Sequence, residues 1–125
     1  MKILVADDEP DLRDSLKLLL ELRGHNVRLA VNGQDAVNMA LHERPDVVLM
    51  DVRMPVMDGI TATRILHNNP DTAAIPVICT SAFFKENYLG AEALRAGCIE
   101  LLAKPMEWRR LEELLERLGG TPVDH

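Results

Sequence analysis

Five short apolar runs, each followed by a stretch of helical periodicity, constrain this chain more than any other feature. The runs are ILVA (3–6), VRLAV (27–31), VVLM (47–50), VICT (77–80) and IELLA (99–103). Three are apolar on successive residues, which marks strands buried on both faces, as in a parallel sheet covered by helices. The first helical stretch has Pro10 in its opening turn and Leu12, Leu16 and Leu19 on one face. The last carries Trp108 as a core-facing anchor, with Leu111, Leu114, Leu115 and Leu118 at helical spacing, and stops at Gly119-Gly120. Weaker patterns cover 34–44, 58–68 and 85–96; Gly90 interrupts the last at a cost of about 1 kcal/mol relative to alanine, predicting the least rigid helix. Such alternation predicts one α/β domain, a doubly wound (βα)5 sandwich around a five-stranded parallel sheet. Only GGTPVDH at the end has the composition of a tail or linker.

The length of 125 residues fits a single domain, and 47% hydrophobic composition is enough for a core. No run approaches the ~18 apolar residues of a membrane span. MKILVADD enters the first strand without an export signal, so a cytoplasmic location with no membrane partner is expected. Cys79 and Cys98 lack paired spacing and read as reduced thiols in or near the core. The histidines at 25, 42, 67 and 125 lack metal-ligand spacing and read as surface residues. A net charge of −6, with no basic cluster beyond Arg109-Arg110, argues against direct nucleic-acid binding.

In doubly wound folds, ligands gather outside the carboxyl ends of the strands. Strand one ends in Asp7-Asp8-Glu9, strand three in Asp51, strand four in Thr80-Ser81 and strand five in Lys104-Pro105. Strand two ends in uncharged Ala30-Val31-Asn32-Gly33, the expected edge of the sheet. Strands one and three then lie side by side and bring Asp7, Asp8 and Asp51 together. Two unit charges ~5 Å apart repel by roughly 3 kcal/mol at an effective dielectric of ~20. Either Lys104 or a hard divalent ion such as Mg²⁺ could offset that repulsion. One carboxylate of such a site can attack phosphorus and form an aspartyl phosphate, while the ion, a lysine and a hydroxyl stabilise the transferring group. Taken alone, Asp51 could equally be a helix cap or turn residue. The DD pair, Asp51, a hydroxyl and KP at four strand ends favour the reactive site, with Pro55 and Gly59 stiffening the loop behind Asp51.

ILVADDEP, VVLMDVRMPVMDG, PVICTSA and LLAKP, in this order and spacing, resemble the receiver domain of bacterial two-component response regulators from residue 2 to about 118. The most specific element is D-x-x-M-P-x-M-x-G, filled by Asp51, Met54, Pro55, Met57 and Gly59. The resemblance implies the flavodoxin-like strand order 2-1-3-4-5, a receiver domain over 1–118, and a tail or linker start over 119–125. It implies Asp51 as phosphoacceptor, with Mg²⁺ (or Mn²⁺) held by Asp8, Asp51, the main-chain carbonyl of Arg53, and Asp7 directly or through water. Lys104 and a switch hydroxyl would bind the phosphoryl group, and the Lys104-Pro105 peptide bond would be cis. Neighbours on a strand point to opposite faces, and the residue before Ala82 matches the family's switch position. Ser81 is therefore the first choice for the hydroxyl and Thr80 the second.

Two departures stand out. Leu101 occupies the position three residues before the lysine where the family usually carries a mobile aromatic ring. The segment from Ser81 to Gly97 is about one residue longer than usual and starts with Phe83-Phe84, which either shield the site or anchor the loop. The function implied is a phosphorylation-driven switch that catalyses only its own phosphorylation and dephosphorylation, not an enzyme in the ordinary sense. A histidine kinase or histidine phosphotransfer protein would dock on the first helix. A downstream protein, or a domain outside this chain, would read the surface of helix four, strand five and helix five. An inactive receiver kept for protein contacts is the alternative. A small Mg²⁺-dependent aspartyl-nucleophile phosphohydrolase would want Asp-x-Asp after strand one and a cap. A flavodoxin-like cofactor binder would want a phosphate loop where DDEPD repels phosphate.

Overall fold

The computed structural model describes residues 1–84 and 88–119. Strands and helices alternate as β1 (Lys2–Ala6), α1 (Pro10–Leu22), β2 (Asn26–Ala30), α2 (Gly33–Glu43), β3 (Val47–Asp51), α3 (Gly59–Asn68), β4 (Val77–Ser81), α4 (Leu89–Ala96), β5 (Glu100–Ala103) and α5 (Trp108–Arg117). The strands form one parallel sheet in the order β2-β1-β3-β4-β5. The uncharged strand end is at the sheet edge, and β1 and β3 pair in the middle with Ala6 opposite Met50.

Alternation along the strands divides the core into two layers. Leu4, Ala6, Val48, Met50, Val77 and Cys79 pack under α2, α3 and α4, against Ala36, Ala40, Ala62, Leu66, Ala93 and Ala96. Ile3, Val5, Leu49, Ile78 and Leu102 pack under α1 and α5, against Leu16, Leu20, Leu111, Leu114 and Leu115. Leu20 and Leu111 are fully buried, each contributing about 1.5–3 kcal/mol. Alanine dominates the helices over the first layer, so they sit close to the sheet.

Several sequence expectations need correction. The buried stripe of α1 runs through Leu16 and Leu20 rather than Leu19, which is 41% exposed at the stripe's edge. Strands β3 and β4 each extend one residue further than their apolar runs, because the backbone ladder continues from Val52 N to Thr80 O at 2.9 Å. Helix α4 starts at Leu89, four residues after the predicted start. Residues 85–87 of that prediction, and residues 120–125 of the predicted tail, lie outside the described residues. Gly90 serves packing: a Cβ there would come within 3.0 Å of Leu101 Cδ1. Trp108 is half-buried against the α1–α5 layer, with the Arg23 guanidinium 5.9 Å from its ring centroid.

His25 is half-buried, with Nδ1 3.2 Å from the Met1 amino group. Burial, then the amino charge, holds its pKa below the ordinary value. His42 and His67 are exposed, and His125 lies outside the described residues. Cys79 and Cys98 are free and buried. No helix among the described residues is long and apolar enough to cross a membrane.

Candidate functional site

The central pairing of β1 and β3 puts Asp7 and Asp51 side by side where the sheet ends. Both carboxylates are buried, Asp7 at 2% and Asp51 at 5% exposure, while Asp8 faces solvent. One oxygen from each of the three lies within 4.8 Å of the others. Lys104 enters from the end of β5, its Nζ 2.8 Å from Asp7 Oδ2, 3.2 Å from Asp51 Oδ2 and 3.8 Å from Glu9 Oε1. Asp7 is further fixed by the Glu9 N–H, which donates to its Oδ1 at 2.9 Å. Arg13 Nη1 donates to the Asp7 carbonyl at 2.7 Å.

Electrostatics sets these groups apart. Burial first, then the Asp7 charge, raises the Asp51 pKa to about 7, against the opposing pull of Lys104 and the Arg53 N–H. For Lys104, burial alone would lower the pKa. The hydrogen bond to Asp7 and the charges of Asp51 and Asp7 outweigh burial and hold the ammonium above its usual range. Asp51 is thus a poorly solvated carboxylate facing a fixed cation, a combination suited to a nucleophile whose charge is taken up in a group transfer.

The loop after β3 is braced from both sides. Arg53 N donates to Asp51 Oδ1 at 3.3 Å. Gly59 N donates to Val52 O at 2.8 Å, and Gly33 N at the start of α2 donates to Met57 O at 2.9 Å. A Cβ on Gly33 would collide with the Met57 carbonyl, and one on Gly59 with the Asp51 carbonyl. Asp58 caps α3 by accepting from Thr61 N at 2.8 Å. Between these anchors the chain turns tightly at Val56, φ +68°, with Met57 N donating to Pro55 O at 2.7 Å.

Thr80 and Ser81 are both buried at the end of β4. Thr80 is opposite Asp51 in register, and strand alternation puts it on the face of Ile78, with Ser81 on the face of Cys79. Ser81 Oγ accepts from Phe83 N at 2.9 Å, and the Ser81 carbonyl accepts from Lys104 N at 3.0 Å. The Lys104-Pro105 bond is cis. Leu101 is half-buried and packed toward Gly90 in α4. The structure therefore gathers Asp7, Asp8, Asp51 and Lys104 into one cluster, with Ser81 tied to it through Lys104 and Arg53 through Asp51. Leu101 is apart from it.

Sequence reasoning gave no site role to four contributors: Glu9, Arg13, Gly33, and the Arg53 side chain, whose guanidinium carbon lies 4.4 Å from the Phe83 ring centroid. Glu9 directly follows the DD pair and Arg13 is one helical turn beyond it, so both were within reach of a helical projection. Gly33 carried no local signal of its contact with Met57.

The donor set, three carboxylates, is all hard oxygen with Asp8 open to solvent. It fits Mg²⁺ or a similar ion and not a metal that needs thiolate or imidazole. Two grooves flank the cluster. One of about 690 Å³ is lined by Asp8, Arg53, Met54, Asp58, Arg64 and Glu92. The other, about 490 Å³ between α1 and α5, is lined by Leu12, Leu16, Leu19, Met106 and Trp108 beside Lys104.

Residues 3–116 match the response regulator receiver domain. The chain is 42% identical over 106 residues to the protein PilH of Pseudomonas aeruginosa, covering 85% of this chain and 87% of PilH. It is 37% identical to the response regulator MprA of Mycolicibacterium vanbaalenii, where it spans 53% of the relative's length, about half. In structure it is similar to the receiver domain of the sensor histidine kinase PA1611 of Pseudomonas aeruginosa, solved with a magnesium ion coordinated in the active-site cleft. That likeness has a TM-score of 0.87 at 32% identity and covers 95% of this chain and 98% of the other. With its 2-1-3-4-5 sheet and its acidic strand ends, the chain belongs to the response regulator receiver domain family of two-component systems, a signalling domain rather than a conventional enzyme.

Proposed function

We propose that the chain is a phosphoacceptor switch in which Asp51 receives a phosphoryl group from a histidine kinase or a histidine phosphotransfer protein. The observation that carries this reading is the buried Asp51 carboxylate, held 3.2 Å from Lys104 with Asp7 and Asp8 beside it. A carboxylate oxygen of Asp51 attacks phosphorus, and the bond from phosphorus to the donor imidazole nitrogen breaks with its electron pair staying on that nitrogen. The imidazole, already protonated on its other nitrogen, leaves neutral. Lys104 turns from the two aspartates toward the new phosphoryl oxygens, and Ser81 hydrogen-bonds one of them, with Thr80 as the second candidate.

Asp8, Asp51, the Arg53 carbonyl and Asp7, directly or through water, would hold Mg²⁺, or Mn²⁺ in its place. The ion supplies charge neutralisation of the transferring group when bound. The apolar α1–α5 groove beside Lys104 suits a docking helix of the phosphodonor. The surface of α4, β5 and α5 is the output face, read by a downstream protein or a further domain, in the cytoplasm. The domain is residues 1–118, with 119–125 a tail or linker start. Borohydride reduction after treatment with Mg²⁺ and a small acyl phosphate, followed by peptide mass analysis, tests the assignment. Reduction confined to residue 51 is expected, and reduction at Asp7 or Asp8 overturns it.

A further inference from the structure

A closed circuit of contacts surrounds the acidic cluster. Asp51 Oδ1 accepts from Arg53 N at 3.3 Å, and the Arg53 guanidinium lies 4.4 Å over the Phe83 ring. Phe83 N donates to Ser81 Oγ at 2.9 Å. The Ser81 carbonyl accepts from Lys104 N at 3.0 Å, and Lys104 Nζ returns to Asp51 at 3.2 Å. Three of these groups, Asp51, Ser81 and Lys104, would touch the phosphoryl site, and the Arg53–Phe83 stack joins the loop after β3 to the loop after β4. Phe83 itself is 38% exposed, so its ring is only partly covered. The cation on its face and the hydroxyl on its amide add two specific attachments.

From this circuit we propose that Arg53 and Phe83 form a phosphorylation-released clasp between the loop after β3 and the loop after β4, and that the Phe83 ring is the aromatic group whose movement reports the state of Asp51. The inference rests on the reading of Asp51 as phosphoacceptor. A phosphoryl group adds roughly two negative charges at the centre of the circuit, and both attachments of Phe83 respond in the same direction. The guanidinium gains an anion that competes with the ring face. The Ser81 hydroxyl, turning to donate to a phosphoryl oxygen, moves its Oγ away from the Phe83 N–H. Both attachments are lost together, at a position six residues before the start of α4 at Leu89. At position 101 the leucine already fills the space against Gly90, so the aromatic movement belongs at the other end of the segment.

The chain has two phenylalanines, at 83 and 84, so fluorophenylalanine labelling gives two fluorine resonances, assigned with Phe84→Leu. The spectrum of the full chain is recorded with Mg²⁺, with and without a small acyl phosphate, and intact mass on the same sample reports phosphate uptake. The Phe83 resonance is expected to shift on phosphorylation toward its position in unphosphorylated Arg53→Gln. Phosphate uptake with an unmoved Phe83 resonance overturns the clasp while leaving the phosphoacceptor reading intact. An Arg53→Gln spectrum identical to the parent's without phosphate shows that no clasp exists. Absence of phosphate uptake removes both readings together.

Discussion

Lys104 is closer to Asp7 than to Asp51: its Nζ lies 2.8 Å from the first carboxylate and 3.2 Å from the second. One cation thus compensates two buried anions, and Asp51, the farther of the pair, is left with its pKa raised to about 7 by burial and by Asp7. The site leaves the Asp51 carboxylate incompletely neutralised, an imbalance that a divalent ion would relieve.

Removing the cation exposes that imbalance. Lys104→Met leaves Asp7 and Asp51 facing each other without compensation, and breaking such a pair costs about 3–5 kcal/mol when little solvent reaches it. Urea unfolding at pH 8 is expected to show that loss, with a smaller one near pH 4, where Asp51 is protonated and the contact with Asp7 is what the variant still removes. Equal losses at both values would mean that Lys104 does not compensate the Asp51 charge.

The raised pKa of Asp51 fixes the sign of a pH effect in protein without divalent ions. The folded state holds the Asp51 proton up to about pH 7, whereas the unfolded chain releases it near pH 4. The contribution to stability is full below pH ~4 and is lost as pH rises through ~7. Asp51→Asn is therefore expected to be more stable than the parent at pH 8, by about 1–2 kcal/mol once solvent screening is allowed for, and close to it at pH 4. A variant less stable than the parent at pH 8 would contradict the electrostatic account.

Divalent ions should reverse this. Binding to the three carboxylates stabilises the folded state by about 2.7 kcal/mol at a hundredfold excess over Kd. Thermal melts with Mg²⁺ and with chelator are expected to differ for the parent, and to coincide for Asp8→Asn and Asp51→Asn. A Mg²⁺ shift retained in both variants would place the ion elsewhere.

The loop after β3 carries a strained residue with little packing to lose. Val56 has φ +68° and is 82% exposed, and a β-branched residue in the left-handed region costs about 1–2 kcal/mol. Val56→Gly is expected to stabilise the protein by about 1 kcal/mol in urea, after allowing for the extra freedom of glycine in the unfolded chain. Gly59→Ala should destabilise it by several kcal/mol through collision with the Asp51 carbonyl.

The two adjacent hydroxyls are separable. Ser81→Ala should still take up phosphate but lose the conformational response, read by fluorine or amide NMR, while Thr80→Val keeps the response. The opposite pattern would transfer the switch role to Thr80.

The acidic cluster was legible in the sequence because charged residues stand where apolar runs stop, and a parallel sheet brings those ends to one edge. Strand two was legible as an outer strand because its end has no charge. What was not legible depends on contacts distant in sequence. Leu19 and Leu20 are both apolar, and only the position of α1 against α5 decides which is buried. The start of α4 lacked a capping residue to mark it. The positive φ of Val56 is imposed by Gly33 and Gly59 gripping the loop, which no local pattern at Val56 announces. The Arg53–Phe83 stack joins two loops 30 positions apart, and the half-burial of His25 depends on the Met1 amino group beside it.

Intact mass after incubation with a small acyl phosphate, for the parent with and without Mg²⁺ and for Asp51→Asn with Mg²⁺, tests the central claim most directly. The account predicts one phosphoryl group on the parent with Mg²⁺, little without it, and none on the variant. An equal gain by Asp51→Asn, or no gain by a parent shown to bind Mg²⁺, would contradict it.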